Sequence, residues 1–147
     1  MALALAEAAA AAMRGEVPVG AVLTGPDGAV IARAGNRVVE LGDPTAHAEM
    51  LAIRAAARAL GSERLVGCDL HVTLEPCAMC AQAISLARIR RLYFGAEDAK
   101  GGAVLHGPRL YAQPTCHHRP ELYGGIMESA ASAMLKAFFR MRRPPRE

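Results

Sequence analysis

No apolar run in this 147-residue sequence approaches the roughly 18 residues that a membrane-spanning helix needs. The Ala-rich start, Met1 to Ala12, lacks the basic leader, apolar centre and cleavage site of a secretory signal, and is expected to be a helix. Cysteine is scarce: there are four, two of them in Cys77-x-x-Cys80, which suits a metal site in a reducing, cytoplasmic setting better than a disulfide framework. Internal repeats and linker-like stretches are missing too, and no membrane partner is expected. With 52% hydrophobic and 21% charged residues, the composition excludes a disordered or fibrous chain. What remains is one compact domain, residues 1–147, around one core.

The net charge of +3 hides an asymmetry. Residues 1–87 carry six Arg against nine acids, a balance of −3, whereas residues 88–147 carry eleven Lys/Arg against five acids, a balance of +6. From Lys136 onward, five basic residues face Glu147 alone. A basic late face suits a polyanion such as nucleic acid; a solvated C-terminal tail would look the same by charge. Arginine outnumbers lysine fifteen to two, and guanidinium suits bidentate phosphate contacts and stacking.

Helices and strands alternate along the chain. Residues 3–14 form an Ala/Leu helix stopped by Gly15. Val19 to Thr24 and Val30 to Ala34 flank Gly25-Pro26-Asp27-Gly28, a hairpin pattern. After a loop from Gly35 to Asp43, a helix is expected near Pro44-Thr45, capped by Asp43 and ended by Gly61. Leu70 to Leu74 is a strand, Cys77 to Ala87 a helix, and Ile89 to Phe94 a strand again. Gly95 to Gly125 is expected to be a long loop with little regular structure. The last helix, about residues 126–143 and basic at its end, repeats apolar residues at helical spacing from Met127 to Phe139. This order argues for an α/β sandwich, a small sheet with helices on both faces.

The chemistry gathers in two short stretches, His47-Ala48-Glu49 and Pro76-Cys77-Ala78-Met79-Cys80. Cys77 and Cys80, at i and i+3, share a helix face and can bind one ion. A helix N-terminus favours their thiolate forms. Two thiolates and one imidazole are a zinc-favouring set. His47 and Glu49, at i and i+2, can share a site only where the helix is just beginning. Three protein ligands leave one tetrahedral position for water, the mark of a catalytic zinc, with Glu49 as the proton carrier. The ordered pair His-x-Glu and Pro-Cys-x-x-Cys is also the known signature of zinc nucleobase deaminases, which assigns the chemistry by match rather than by spacing. A structural zinc would need a fourth ligand, for which Cys68, Cys116, His117 and His118 are candidates.

Beyond that pair, Glu16-Val17-Pro18-Val19-Gly20-Ala21-Val22, Asn36-Arg37, Asp43 to Glu49, Thr73 to Cys80, Phe94-Gly95-Ala96, Asp98-Ala99-Lys100, His118-Arg119 and Phe138 to Arg143 resemble bacterial tRNA-specific adenosine deaminases. The similarity runs from about Leu5 to Arg143 and departs at His117 and over Gly101 to Gln113. It implies a three-layer α/β/α sandwich with a central five-stranded mixed sheet of the cytidine deaminase type, and a homodimer. It also implies hydrolytic conversion of adenosine to inosine at the wobble position of a tRNA anticodon. By position, His47, Cys77 and Cys80 would hold one zinc per subunit, and Glu49 would be catalytic. Asn36 and the Ala48 backbone would place the flipped base. Asp98 and Lys100 would lie along the anticodon loop, and Phe139, Arg140, Arg142 and Arg143 near the RNA backbone.

Two other readings share these residues. One is a deaminase of a free base or nucleoside such as guanine or cytidine, against which the basic last helix argues. The other is a zinc-stabilised RNA-binding module without catalysis, against which Glu49 and the three-ligand set argue.

Overall fold

The computed structural model describes residues 1–143; residues 144–147, the end of the expected domain with Arg146 and Glu147 of the charge count, lie outside them. Five strands form one mixed sheet: β1 (Gly20–Thr24), β2 (Val30–Gly35), β3 (Asp69–Leu74), β4 (Arg91–Ala96) and β5 (Glu121–Tyr123), in the order β2-β1-β3-β4-β5. β1 runs antiparallel to β2 and to β3, with Ala21 opposite Val72. β3, β4 and β5 are parallel, with Leu70, Leu92 and Leu122 in one row. Helices α1 (Ala2–Met13) and α5 (Glu128–Arg142) lie on one face, and α3 (Ala48–Leu60) lies on the other with α4 (Ala78–Leu86) beside it. The expected three-layer α/β/α sandwich is therefore what the chain forms. Among the described residues no helix is long and apolar enough to cross a membrane.

The Ala-rich start has a packing reason. Ala4, Ala8 and Ala11 are fully buried at i, i+4 and i+7 of α1. Opposite them Gly20 leaves no room for a side chain, because a Cβ there would fall onto the Ala4 carbonyl and the Ala8 amide. Small residues on both sides let helix and sheet approach closely. The opposite face is filled by larger groups: Leu23, Leu70, Ile84, Ile89, Leu92 and Phe94 are all essentially buried. Each such side chain contributes roughly 1.5–3 kcal/mol on removal from water. The hairpin turns as expected: Gly28 takes φ +83°, and the Asp27 carboxylate accepts from the Ala29 amide at 3.0 Å.

Several boundaries differ from the sequence expectation. A short helix, α2 (Val38–Leu41), occupies the expected Gly35–Asp43 loop, because the buried Glu16 carboxylate accepts from the Val39 and Glu40 amides at 3.2 and 2.8 Å. α3 begins at Ala48 rather than near Pro44, since Asp43 spends its carboxylate on Thr45 in a local turn, at 2.8 Å to the amide and 2.7 Å to the hydroxyl. β4 starts two residues later than expected, after Arg88 at φ +62° has turned the chain out of α4. β5 and a 3₁₀ turn at Leu110–Ala112 lie inside the segment expected to be loop. α5 begins at Glu128, and of its apolar stripe only Ala131 is buried, while Phe139 is exposed. Its apolar residues border a cleft instead of filling a core.

Candidate active site

The N-termini of α3 and α4 meet, and the reason is local at each. His47 is the residue before α3, in extended backbone at φ −72° and ψ 150°; Cys77 holds the same place before α4 at φ −71° and ψ 174°. A residue at that position still projects away from the helical stack, so His47 can turn to Cys77 and Cys80 while Glu49, inside the first turn, points to the same place. The His47 Nδ1 atom lies 3.7 Å from Cys77 Sγ and 3.6 Å from Cys80 Sγ. A nitrogen and a sulfur sharing one tetrahedral zinc, at bond lengths of about 2.0 and 2.3 Å, stand about 3.5 Å apart. The donor set therefore fits zinc in both chemistry and spacing. Among the described residues this is the one His/Cys/Asp/Glu group whose ligand atoms all lie within 4.8 Å of one another.

None of the candidates for a fourth protein ligand, the exposed His117 included, joins the His47/Cys77/Cys80 group. Cys68 is buried in the core. Cys116 donates to the His118 carbonyl at 3.2 Å, Ser85 donates to that same carbonyl at 2.7 Å, and His118 Nε2 meets the Ile89 carbonyl at 2.7 Å. These contacts fasten the loop before β5 to α4 and its exit. Glu75 is saturated by five donors from residues 98–106. The His/Cys/Cys set is thus left with an open side.

The electrostatics suit metal binding. The Cys77 thiol is drawn down to about 4, chiefly by the Cys80 thiol and further by the His47 ring, with burial opposing. Cys80 is pushed up, by the Cys77 sulfur and by burial, so the two thiols do not ionise independently. The Cys77 sulfur in turn holds the His47 ring above its ordinary value. Burial raises the Glu49 carboxyl, and its Oε1 atom is buried without a hydrogen-bond partner. A buried carboxyl oxygen left unpaired costs free energy, so the fold keeps it for something absent from the chain itself.

Asn36 supplies the cap that His47 does not: its Oδ1 accepts from the Ala48 amide at 2.8 Å, and Arg14 donates to its carbonyl at 3.1 Å. The Ala48 N–H is consequently spent within the protein. Two adjoining cavities open from here. The deeper, about 540 Å³, is bordered by Asn36, His47, Glu49, Cys77, Leu74 and Phe138. The outer, about 900 Å³, is bordered by Asp98, Lys100, Lys136, Phe139, Arg140 and Arg143. Asp98, Phe139 and Arg142 border both. Asp98 turns its carboxylate onto the Lys100 and Gly101 amides at 3.1 and 2.9 Å, so it shapes the wall as well as lining it. Arg142 donates to the Gly15 carbonyl at 2.7 Å and covers the Phe138 ring at 4.3 Å, which pins the end of α5 to the end of α1. Ten of the twelve site residues expected from the sequence border these two cavities, while Ala48 and Cys80 are fully buried and line neither. No sequence pattern marks a role for Glu16, Glu75 or His106, and Phe138 lines the deeper cavity together with Phe139. Glu16 and Glu75 stood in quoted motifs, but nothing local signalled what they hold.

A sheet of this order, with a His/Cys/Cys group and a glutamate at two helix N-termini, defines a zinc-binding deaminase of the cytidine deaminase type. Residues 1–96 match the family model of the cytidine and deoxycytidylate deaminase zinc-binding region. More particularly, the chain belongs to the family of tRNA-specific adenosine deaminases. It is 62% identical to that of Agrobacterium fabrum over 97% of this chain and 93% of the relative. It is 47% identical to that of Aquifex aeolicus over 96% of this chain and 92% of the relative. A solved structure from work on A-to-I editing by tRNA:A34 deaminases superposes with a TM-score of 0.90 at 63% identity, covering 92% of this chain and 97% of that one.

Proposed function

We propose that this chain deaminates adenosine to inosine at wobble position 34 of a tRNA anticodon, consuming water and releasing ammonia. The observation that carries the chemistry is the unpaired, buried Oε1 of Glu49 beside the His47/Cys77/Cys80 group. Zinc held by those three residues, one per subunit, would supply the Lewis acidity that brings the pKa of a water to about 7. Glu49 accepts the proton that water gives up as its oxygen bonds to C6 of adenine. Glu49 passes that proton to N1, then takes the second proton from the new C6 hydroxyl and gives it to the departing amino group, so it ends as it began. Burial suits it to this exchange, since a carboxyl raised above its ordinary range both takes and gives protons readily.

Asn36 holds the Ala48 amide with its oxygen and keeps its NH₂ for the base in the deeper cavity. A base inside a loop must leave its stack to reach that cavity, at a cost of a few kcal/mol. Asp98, Lys100, Phe139, Arg140, Arg142 and Arg143 line the outer cavity, which suits a polynucleotide better than a free base. This favours tRNA over the free-base alternative. A homodimer follows from the resemblance to the family, and sedimentation equilibrium tests it. A cytoplasmic location accords with four free cysteines.

The direct test is an anticodon stem-loop carrying A at the wobble position, run beside free adenosine, guanine and cytidine, with ammonia and inosine measured. Glu49→Gln keeps its zinc and loses about 10²–10⁴-fold in rate. Turnover of a free base but not of the stem-loop refutes the tRNA reading. A fully active Glu49→Gln protein refutes the catalytic assignment.

A further inference from the structure

We propose that Glu75 is a positioning residue whose buried carboxylate fixes residues 98–106, the far wall of the cleft, and thereby governs how the RNA flanking the target base is admitted. The proposal deepens the tRNA deaminase reading and rests on it. Glu75 borders the deeper cavity, yet its side chain has no exposed surface. It acts through what it holds.

Five donors converge on this one carboxylate. Oε1 accepts from the Asp98 amide at 3.1 Å and meets His106 Nδ1 at 2.8 Å. Oε2 accepts from the amides of Val104, Leu105 and His106 at 3.2, 3.0 and 3.2 Å. The segment so held has no helix or strand from Glu97 to Arg109, so no ladder supports it. Apart from the carboxylate, the Ala103 amide reaches the Pro76 carbonyl at 2.9 Å and the Leu110 amide reaches the Ala103 carbonyl at 2.8 Å. Gly102 shows how tightly the chain wraps the group: a Cβ there would fall onto Glu75 Oε2 and onto the Asp98 carbonyl. Backbone amides can only donate, so both oxygens of Glu75 serve as acceptors here.

The same wall presents Asp98, Lys100 and Gly101 to the outer cavity. His47, Cys77, Cys80 and Glu49 are held separately by the N-termini of α3 and α4. Releasing Glu75 therefore displaces the surface that receives the RNA while leaving the reacting groups in place. Glu75→Gln isolates the acceptor role from packing, because it conserves volume but offers one acceptor oxygen and turns an NH₂ towards other donors.

The test is steady-state kinetics on the wobble-A stem-loop, with zinc content measured for every protein. Glu75→Gln is expected to raise KM about tenfold, with kcat within about threefold of wild type and zinc retained. Gly102→Ala presses on the same carboxylate from the other side and is expected to raise KM alike. If Glu75→Gln does not fold, Gly102→Ala decides the matter alone. Wild-type KM in these variants, or a fall in kcat that tracks lost zinc at constant KM, overturns the proposal. A wild-type protein inert on the stem-loop overturns the tRNA reading instead, so the two failures are distinct.

Discussion

Asn36 caps α3 with its amide oxygen and is proposed to offer its NH₂ to the base, and a pair of substitutions separates the two roles. The Ala48 amide is the first of α3, buried, and one of the N–H groups that no helical carbonyl can satisfy. A serine or aspartate before a helix accepts from its second or third amide and not its first, and here that position is His47, whose ring is turned to the two cysteines. Asn36, twelve residues earlier, provides the cap at 2.8 Å. Asn36→Ala leaves a buried donor unpaired, which costs about 1–3 kcal/mol. Taking about 2 kcal/mol, the melting temperature of a domain this size falls by about 4–8 °C. Asn36→Asp keeps the acceptor, and a carboxylate at a helix N-terminus is favourable, so its melting temperature stays within about 2 °C of wild type. It has no NH₂ to offer the base, however, and loses activity as completely as Asn36→Ala. Thermal unfolding of zinc-saturated proteins and deamination of the stem-loop, measured side by side, give the answer. A melting temperature unchanged in Asn36→Ala refutes the capping argument; an active Asn36→Asp protein refutes the recognition argument.

Two further predictions concern charge. Arg142 and Arg143 are neighbours with different work: Arg142→Ala loses the bond to Gly15 and the cover over Phe138 and lowers the melting temperature by about 1–3 °C. Arg143→Ala leaves stability alone and reduces the salt slope of tRNA binding by about one, as a lost phosphate contact does. Equal effects of the two on both readouts count against this division. His71 stacks on Tyr93 with centroids 4.7 Å apart, and its pKa is held below the ordinary value by burial first and the terminal amine second, with Asp69 opposing. Its folded form resists protonation, so its contribution is complete above about pH 6.5 and is lost as pH falls below that value. His71→Phe, which keeps the stack, should narrow the gap between urea midpoints measured at about pH 7.5 and about pH 5.5. An unchanged gap assigns the acid sensitivity to other groups.

How much of this molecule is legible in its sequence depends on how far apart the cooperating residues lie. The hairpin, four of the five strands, the helices of the two ligand stretches and the ligand set itself follow from patterns a few residues long. Gly25-Pro26-Asp27-Gly28 specifies its own turn, and Cys77 and Cys80 meet because a helix puts i and i+3 on one side. α2 was not legible, because Val38–Leu41 is helical by virtue of Glu16, more than twenty residues away. β5 was hidden for the same reason. Each residue of Glu121–Tyr123 is exposed and the segment carries no buried pattern; only pairing with β4 makes it a strand.

The sequence by itself thus determined the reacting groups: a zinc-favouring His/Cys/Cys set, a glutamate beside it, and a basic end that suits a polyanion. The tertiary structure decided what surrounds them. It made Asn36 a helix cap, turned Arg142 inward onto Gly15, left α5 half-packed so that Phe138 and Phe139 line the cleft, and wrapped residues 98–106 around Glu75. The physical reason is one of range. Ligand identity and helix phase are local properties of the chain, whereas a buried carboxylate finds its donors only after strands β3 and β4 have brought residues thirty apart within 3 Å.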